Sequence, residues 1–252
     1  MAVDTPRWQR RAQPWLGTLV EIGLPADSNP AAFDAAFAAV REVQSALSRF
    51  EPTSDVSRFN ALSCGERLAM RPATQHVLAA ARALFDATDG DFDITLGTSP
   101  RGWACAADQL IKSDARTHID LGGIGKGHAV DCAVQALMGH GCTAGWVNAG
   151  GDLRAFGSAD VPVSLRDEAS GGVRPFASVR DAAFATSHFG HRTRSRAATR
   201  TGARALQAHV SVAAPRCLWA DALTKVVAIS GDTSHPLLAR YDATAWLHPS
   251  AE

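Results

Sequence analysis

Ile119-Asp-Leu-Gly-Gly-Ile-Gly-Lys-Gly-His-Ala-Val-Asp131 is the stretch on which the reading of this chain turns. Its apolar lead-in predicts a strand over His118–Leu121. Beyond the glycines, Ala129, Val130, Ala133, Val134, Leu137 and Met138 predict one face of a helix. Glycines between a strand and a helix allow backbone N–H groups to crowd an anion at the positive helix N-terminus, and Lys126 adds a full charge. A simple tight turn accounts for the same glycines equally well. Asp120 stands where a Walker loop begins with glycine, and Gly127 stands where it needs Ser or Thr. The GGxGxG spacing is not the dinucleotide fingerprint either. The loop therefore does not announce a P-loop or Rossmann protein.

Outward from the loop, helices and strands mix without a βα repeat. Upstream, Trp15–Leu24 predicts a strand. Phe33, Phe37, Val40, Val43 and Leu47 predict an amphipathic helix from Pro30 to Arg49. Ser54–Asn60 suits a short helical turn with a good N-cap. Val77, Leu78, Ala81, Leu84 and Phe85 predict a helix over Thr74–Thr88, with Thr74 as its cap. Thr88–Gly97 reads as a turn leading into a strand. Downstream, strands are expected at Trp146–Val147, Val161–Leu165, Phe176–Val179, Phe184–Thr186, His209–Ala213 and Thr244–Leu247. Helices are expected at Leu218–Ile229 and His235–Arg240. This order predicts an α+β fold rather than a doubly wound parallel sheet. With no repeat and no linker, residues 1–252 read as one domain.

Composition narrows the function. Twenty-five Lys and Arg balance twenty-five Asp and Glu, so the chain lacks the basic footprint of a nucleic-acid binder. Arg192–Arg204 is rich in arginine and reads first as a solvated loop, second as a phosphate or partner site. Five cysteines without a CxxC pair indicate neither a disulfide framework nor a zinc site. No apolar run approaches membrane-spanning length, so no stable membrane insertion is expected. The charged N-terminus has no apolar segment behind it, and a cytoplasmic location is expected.

Three further clusters carry possible chemistry. In Asn148-Ala-Gly-Gly-Asp152, the glycines permit close approach of a ligand, and the flanking polar side chains either bind it or cap the turn. Gly150, Gly151 and Asp152 are thus cofactor-binding candidates. Thr88-Asp-Gly-Asp-Phe-Asp-Ile-Thr95 places three acids within a few residues, and repulsion among them needs an offset. Asp93 is its best candidate for a buried functional acid. On a helix through Ala220-Asp-Ala-Leu-Thr-Lys225, Asp221, Thr224 and Lys225 share one face. Asp and Thr oxygens suit magnesium; an Asp–Lys ion pair is the plainer reading.

All four clusters, in this order, resemble the FAD:protein FMN transferases, the ApbE-type flavin transferases. The likeness begins at Leu16-Gly-Thr18 and passes through Ser54–Asn60, Asp89–Thr95 and Ile119–Asp131. It resumes at Val147–Gly157, Ala185–Ser187 and Ser211–Gly231. It implies a T-fold-related architecture, mixed sheets with packed helices in two intimately packed lobes, holding FAD between them. It further implies that Leu16, Asp91, Phe92 and Asp93 line the flavin site and that Asp120 and Lys126 contact FAD. The Gly123 carbonyl and the Asp221 side chain would serve magnesium. The reaction implied is transfer of FMN from FAD to a Ser or Thr hydroxyl of an acceptor flavoprotein, with release of AMP. Asp221 and Lys126 are its catalytic candidates.

Two departures stand out. Where the family usually places a threonine metal ligand, four residues after the aspartate, this chain has Lys225. A protonated lysine cannot ligate a metal, so either Thr224 substitutes or Lys225 supplies the positive charge itself. The family's His-Ile-x-Asp-Pro-x-Thr-Gly segment gives way to the arginine-rich stretch, with Thr201-Gly202 as its echo. The rival readings are an FAD pyrophosphatase, with water as the acceptor, and a non-catalytic FAD-binding protein.

Overall fold

Val20, Ile22 and Leu24 are fully buried, the period-2 pattern of a strand with one face on a core. A computed structural model, which describes residues 7–166, 172–189 and 208–249, forms strand β2 from this run (Thr18–Pro25). It is the second arm of a hairpin: β1 (Trp8–Trp15) pairs with it antiparallel, with Trp15 opposite Thr18. The single strand expected over Trp15–Leu24 is thus interrupted at Leu16-Gly17, whose φ values of 57° and 70° give the primed turn that matches strand twist. Leucine rarely adopts that conformation, so the dipeptide does not advertise the turn.

β2 leads into a seven-stranded antiparallel sheet. It contains β6 (Gly145–Ala149), β7 (Asp152–Phe156), β10 (Ala183–Phe189), β11 (Ala208–Ala214) and β12 (Thr244–Pro249). The order is β1-β2-β6-β7-β10-β11-β12, every neighbouring pair antiparallel. Side-chain alternation divides its two faces. Val147, Ala183 and Ala185 join the main core, while Trp146, Leu153 and Phe184 point the other way into a second cluster. The ribbon of β8 (Asp160–Arg166) and β9 (Val173–Arg180) covers that second cluster through Val161, Val163, Phe176 and Val179.

Three helices pack in series at the centre of the main core. α1 (Pro30–Leu47) packs on α4 (Gly125–Gly139), and α4 packs on α5 (Cys217–Ser230), which rests on β10 and β11. Asn29 caps α1 through the Ala31 N–H, and Pro30 fills its first position. Beside α1 lie α2 (Asp55–Ala61) and α3 (Pro72–Ala87), with a small sheet of order β3 (Arg67–Ala69), β5 (Gln109–Lys112), β4 (Trp103–Ala106). These three short strands were not expected from the sequence. A short α6 (Pro236–Arg240) precedes β12. The α+β expectation holds.

Local differences have local causes. Ser54 caps α2 as expected, accepting from Ser57 N–H. Thr74 does not cap α3, which starts earlier at Pro72; its hydroxyl instead donates to the buried Asp55 carboxylate at 2.6 Å. No strand forms at His118–Leu121, because the Asn60 side chain takes both backbone groups of Ile119, accepting its N–H at 2.8 Å and donating to its carbonyl at 3.0 Å. No strand follows the acidic turn either. There Asp93 accepts from Thr95 N–H, Thr95 Oγ1 and Gly97 N–H, which curls the chain. Arg192–Arg204, with Thr201-Gly202, lies outside the described residues. Among the described residues no helix is long and apolar enough to cross a membrane.

Candidate functional site

The first turn of α4 meets α5 at very short range. A Cβ added to Gly127 would lie 2.2 Å from the Cys217 carbonyl oxygen and 2.8 Å from Asp221 Cβ, so only glycine permits this crossing. The two helices also satisfy each other's ends. Asp221, in α5, accepts the Gly127 N–H at 3.1 Å. Asp131, in α4, accepts the N–H groups of Cys217 and Leu218, each at 3.0 Å. Each helix N-terminus is therefore capped by a carboxylate of the other, which suits both the orphan donors and the helix dipole. Arg154 pairs with Asp131 at 2.6 Å.

That crossing buries a cluster of charges. Asp221 is 0% exposed, Asp152 1% and Lys225 6%. Lys126 Nζ bonds Asp152 Oδ2 and lies 3.8 Å from Asp221 Oδ2. Lys225 Nζ bonds Asp221 Oδ1, the Asp221 carbonyl at 2.9 Å and Ser187 Oγ at 3.2 Å. Burial alone would raise the Asp221 pKa, but Lys126, Lys225 and the Gly127 N–H outweigh it and hold it at about 2. Burial and the Asp221 charge push Asp152 up to about 6 against the pull of Lys126. Burial works against the Lys126 charge, yet Asp152 and Asp221 raise its pKa above the ordinary lysine range. Lys126 is thus a fixed cation.

A cleft of about 940 Å³ opens over this cluster, within the size range of small-molecule sites. Of the residues expected at a flavin site, Leu16, Asp91, Phe92, Asp93, Asp120, Lys126 and Gly150 line it, as does Gly123, expected at the metal. Leu16 is positioned through its N–H, which donates to Gln44 Oε1 at 2.6 Å. Asp120 accepts the Gly122 N–H at 2.8 Å and pairs with Arg49 at 3.2 Å. Asp152, Asp221 and Thr224 lie behind the wall rather than on it, and Gly151 lies outside the lining. Asp93 lines the cleft, but its oxygens organise its own turn, as described above.

The glycine loop favours the tight-turn reading. Besides the Gly122 and Gly127 contacts, Ile124 and Gly125 donate to the Leu121 carbonyl at 3.2 and 2.7 Å. These four N–H groups already have protein acceptors, and Lys126 brings the loop's charged side chain to the cleft. Several cleft residues went unassigned at the sequence level, among them Gln44, Arg49, Phe50 and Ser187. Arg49 and Phe50 form a cation–π pair at the cleft. Ser187 sits within the Ala185–Ser187 likeness, which was its only signal.

The donors expected to hold magnesium do not fit it. Asp221 Oδ1 is taken by Lys225, and its Oδ2 by Gly127. Thr224 Oγ1 donates to the Asp221 carbonyl at 2.7 Å and so must accept from Ser187 at 2.9 Å. The Gly123 backbone lies over the Lys225 stem, where an added Cβ would be 3.4 Å from Lys225 Cε. Among the described residues, no group of three or more His, Cys, Asp or Glu side chains is arranged to hold a metal.

The chain matches the model of the ApbE family over residues 16–247. No curated protein matches it significantly by sequence. Among solved structures, the flavin transferase ApbE from Vibrio cholerae is similar with a TM-score of 0.81 at 18% identity, covering 96% of this chain and 94% of that one. The apo form of the Pseudomonas stutzeri flavinyl transferase ApbE gives 0.79 at 20%, covering 98% and 92%. The Thermotoga maritima ApbE protein gives 0.81 at 20%, covering 96% and 94%. At such identities the structural likeness establishes the fold.

Proposed function

We propose that this chain, which belongs to the ApbE family, transfers the FMN half of FAD to a Ser or Thr hydroxyl of an acceptor protein and releases AMP. The observation that carries this reading is the convergence of Leu16, Asp91–Asp93, Asp120, Lys126 and Gly150, from separate chain segments, on one cleft. The similar Vibrio and Pseudomonas proteins, a flavin transferase and a flavinyl transferase, point the same way.

In this reaction the acceptor oxygen bonds to the FMN-side phosphorus while the bridging P–O bond breaks. AMP departs with the bonding electrons, and the hydroxyl proton passes to solvent. Such phosphoryl chemistry depends on positioning and on neutralising charge. Lys126 suits both needs. Its ammonium has three donors, of which Asp152 takes one, and its side chain is 32% exposed. Asp152 and Asp221 beneath keep it charged and aimed, so it meets a pyrophosphate oxygen without first being ordered. Leu16, Phe92 and the Arg49–Phe50 pair offer apolar and ring contacts for the flavin or adenine. Magnesium has no step in this proposal, since its expected protein ligands are engaged.

The test is to incubate the protein with FAD and an acceptor protein carrying a Ser/Thr flavinylation site, then follow acceptor mass and AMP. A gain of FMN on the acceptor, lost when the acceptor hydroxyl is replaced by alanine, is the expected result. AMP and free FMN without an acceptor would identify a pyrophosphatase, and FAD bound but intact would identify a binding protein.

A further inference from the structure

We infer that the Lys225 ammonium occupies the place of a divalent cation, so that the chemistry of this cleft runs without a metal ion. The inference rests on the flavin reading of the cleft and concerns what neutralises charge within it.

Lys225 Nζ gathers three oxygens, from the Asp221 carboxylate, the Asp221 carbonyl and the Ser187 hydroxyl. Carboxylate, carbonyl and hydroxyl oxygens are the donors a hard cation at Asp221 would draw on. The proton count around it is closed. Thr224 gives its proton to the Asp221 carbonyl and accepts from Ser187, whose own oxygen accepts from Lys225. An ion reaching for the Asp221 carboxylate, the Asp221 carbonyl and Ser187 together would have to displace the one ammonium that already bonds all three.

The charges are closed as well. Asp152 and Asp221 balance Lys126 and Lys225, and these four groups act on one another directly. A divalent ion beside Asp221 would meet the Lys225 ammonium at contact distance, in a site where burial strengthens repulsion. Removing that lysine leaves one uncompensated carboxylate and a vacated oxygen group. Lys225 also lines the cleft, so its charge sits where a bound pyrophosphate would feel it. Divalent charge is replaced by two fixed lysines, Lys126 at the surface and Lys225 below.

The experiment titrates chelator-treated wild-type protein with Mn²⁺, following free ion by electron paramagnetic resonance, beside Lys225→Thr and the double variant Lys225→Thr/Asp221→Asn. Wild type is expected to show no saturable site. Lys225→Thr is expected to gain one, binding at least about tenfold more tightly than wild type, and the double variant to lose it. A stoichiometric wild-type site abolished by Asp221→Asn would overturn the inference. A folded Lys225→Thr variant with no site would overturn it too; circular dichroism checks that fold, and the wild-type titration stands without it. Wild-type FAD turnover is expected to persist in excess chelator, and loss of turnover restored by Mg²⁺ would again overturn the inference. Absence of FAD turnover under every condition would count against the transfer reading alone, leaving the Mn²⁺ titration to decide this one.

Discussion

Gly127 donates its backbone N–H to the Asp221 carboxylate at 3.1 Å, while Asp131, one helical turn beyond Gly127, accepts from Cys217 and Leu218 at the start of the helix that bears Asp221. The glycine loop and the ADALTK helix are therefore one mechanical unit. The buried charges are placed by a helix crossing, not by flexible side chains reaching across a gap.

The crossing itself is the first thing to perturb. Gly127→Ala puts a methyl group 2.2 Å from a backbone oxygen, so the helices must separate. A loss of about 1–3 kcal/mol or more is expected from overpacking, measured by urea unfolding. A variant as stable as wild type would show that α4 and α5 do not meet as described.

Asp131 does structural work away from the cleft. Asp131→Ala removes the acceptor for two helix N–H groups and leaves Arg154 unpaired. The expected cost is about 3–5 kcal/mol, as for breaking other buried pairs. Asp131→Asn keeps an acceptor oxygen and should cost less. Equal losses in the two variants would remove the capping role.

Lys126 should matter to turnover more than to folding. Lys126→Met removes the cleft cation held over Asp152 and Asp221, and kcat for FMN transfer should fall about 10²–10³-fold. The same substitution removes the main counter-charge of Asp152, so the carboxyl already raised to about 6 should rise further. Transfer kinetics that change by less than a few-fold would place the pyrophosphate elsewhere.

His128 gives a pH signature of stability. Burial first, then the stacked His76 and Arg216, hold it at about 4 against an ordinary value of 6.5, with Asp131 opposing. Between those values the unfolded chain binds more protons than the native one, so stability falls as pH is lowered through that window. The contribution is at most roughly 3 kcal/mol. Denaturation midpoints from about pH 7 down to about pH 4 should fall less steeply for His128→Gln than for wild type; parallel slopes would refute the assignment.

Much of the architecture was legible because it rests on local periodicity. Phe33, Phe37, Val40 and Val43 mark α1, and alternation at Val20, Ile22 and Leu24 marks β2. The strands at 67–69, 103–106 and 109–112 were not, since three or four residues are too few to show a period. Leu16-Gly17 hid a hairpin turn because leucine rarely takes a positive φ. Asp93 was singled out as a buried acid, and it is one; that its oxygens would close its own turn was not visible.

The sequence by itself determined the α+β class, the order of the glycine loop and the acid-bearing segments, and the resemblance that the family match bears out. Those features depend on residue type and spacing along the chain. Only tertiary structure decided that Asp221 faces Gly127 and that Lys225 covers one of its oxygens. It also decided that Asp152 lies beneath Lys126, since these contacts join residues 26 to 94 positions apart or depend on which face of α5 is buried. A spacing of four tells that Asp221 and Lys225 share a helix face. Whether water or the Ser187 hydroxyl receives that lysine is settled by what packs above the helix, and this decides between a surface ion pair and a buried cation at the floor of a cleft.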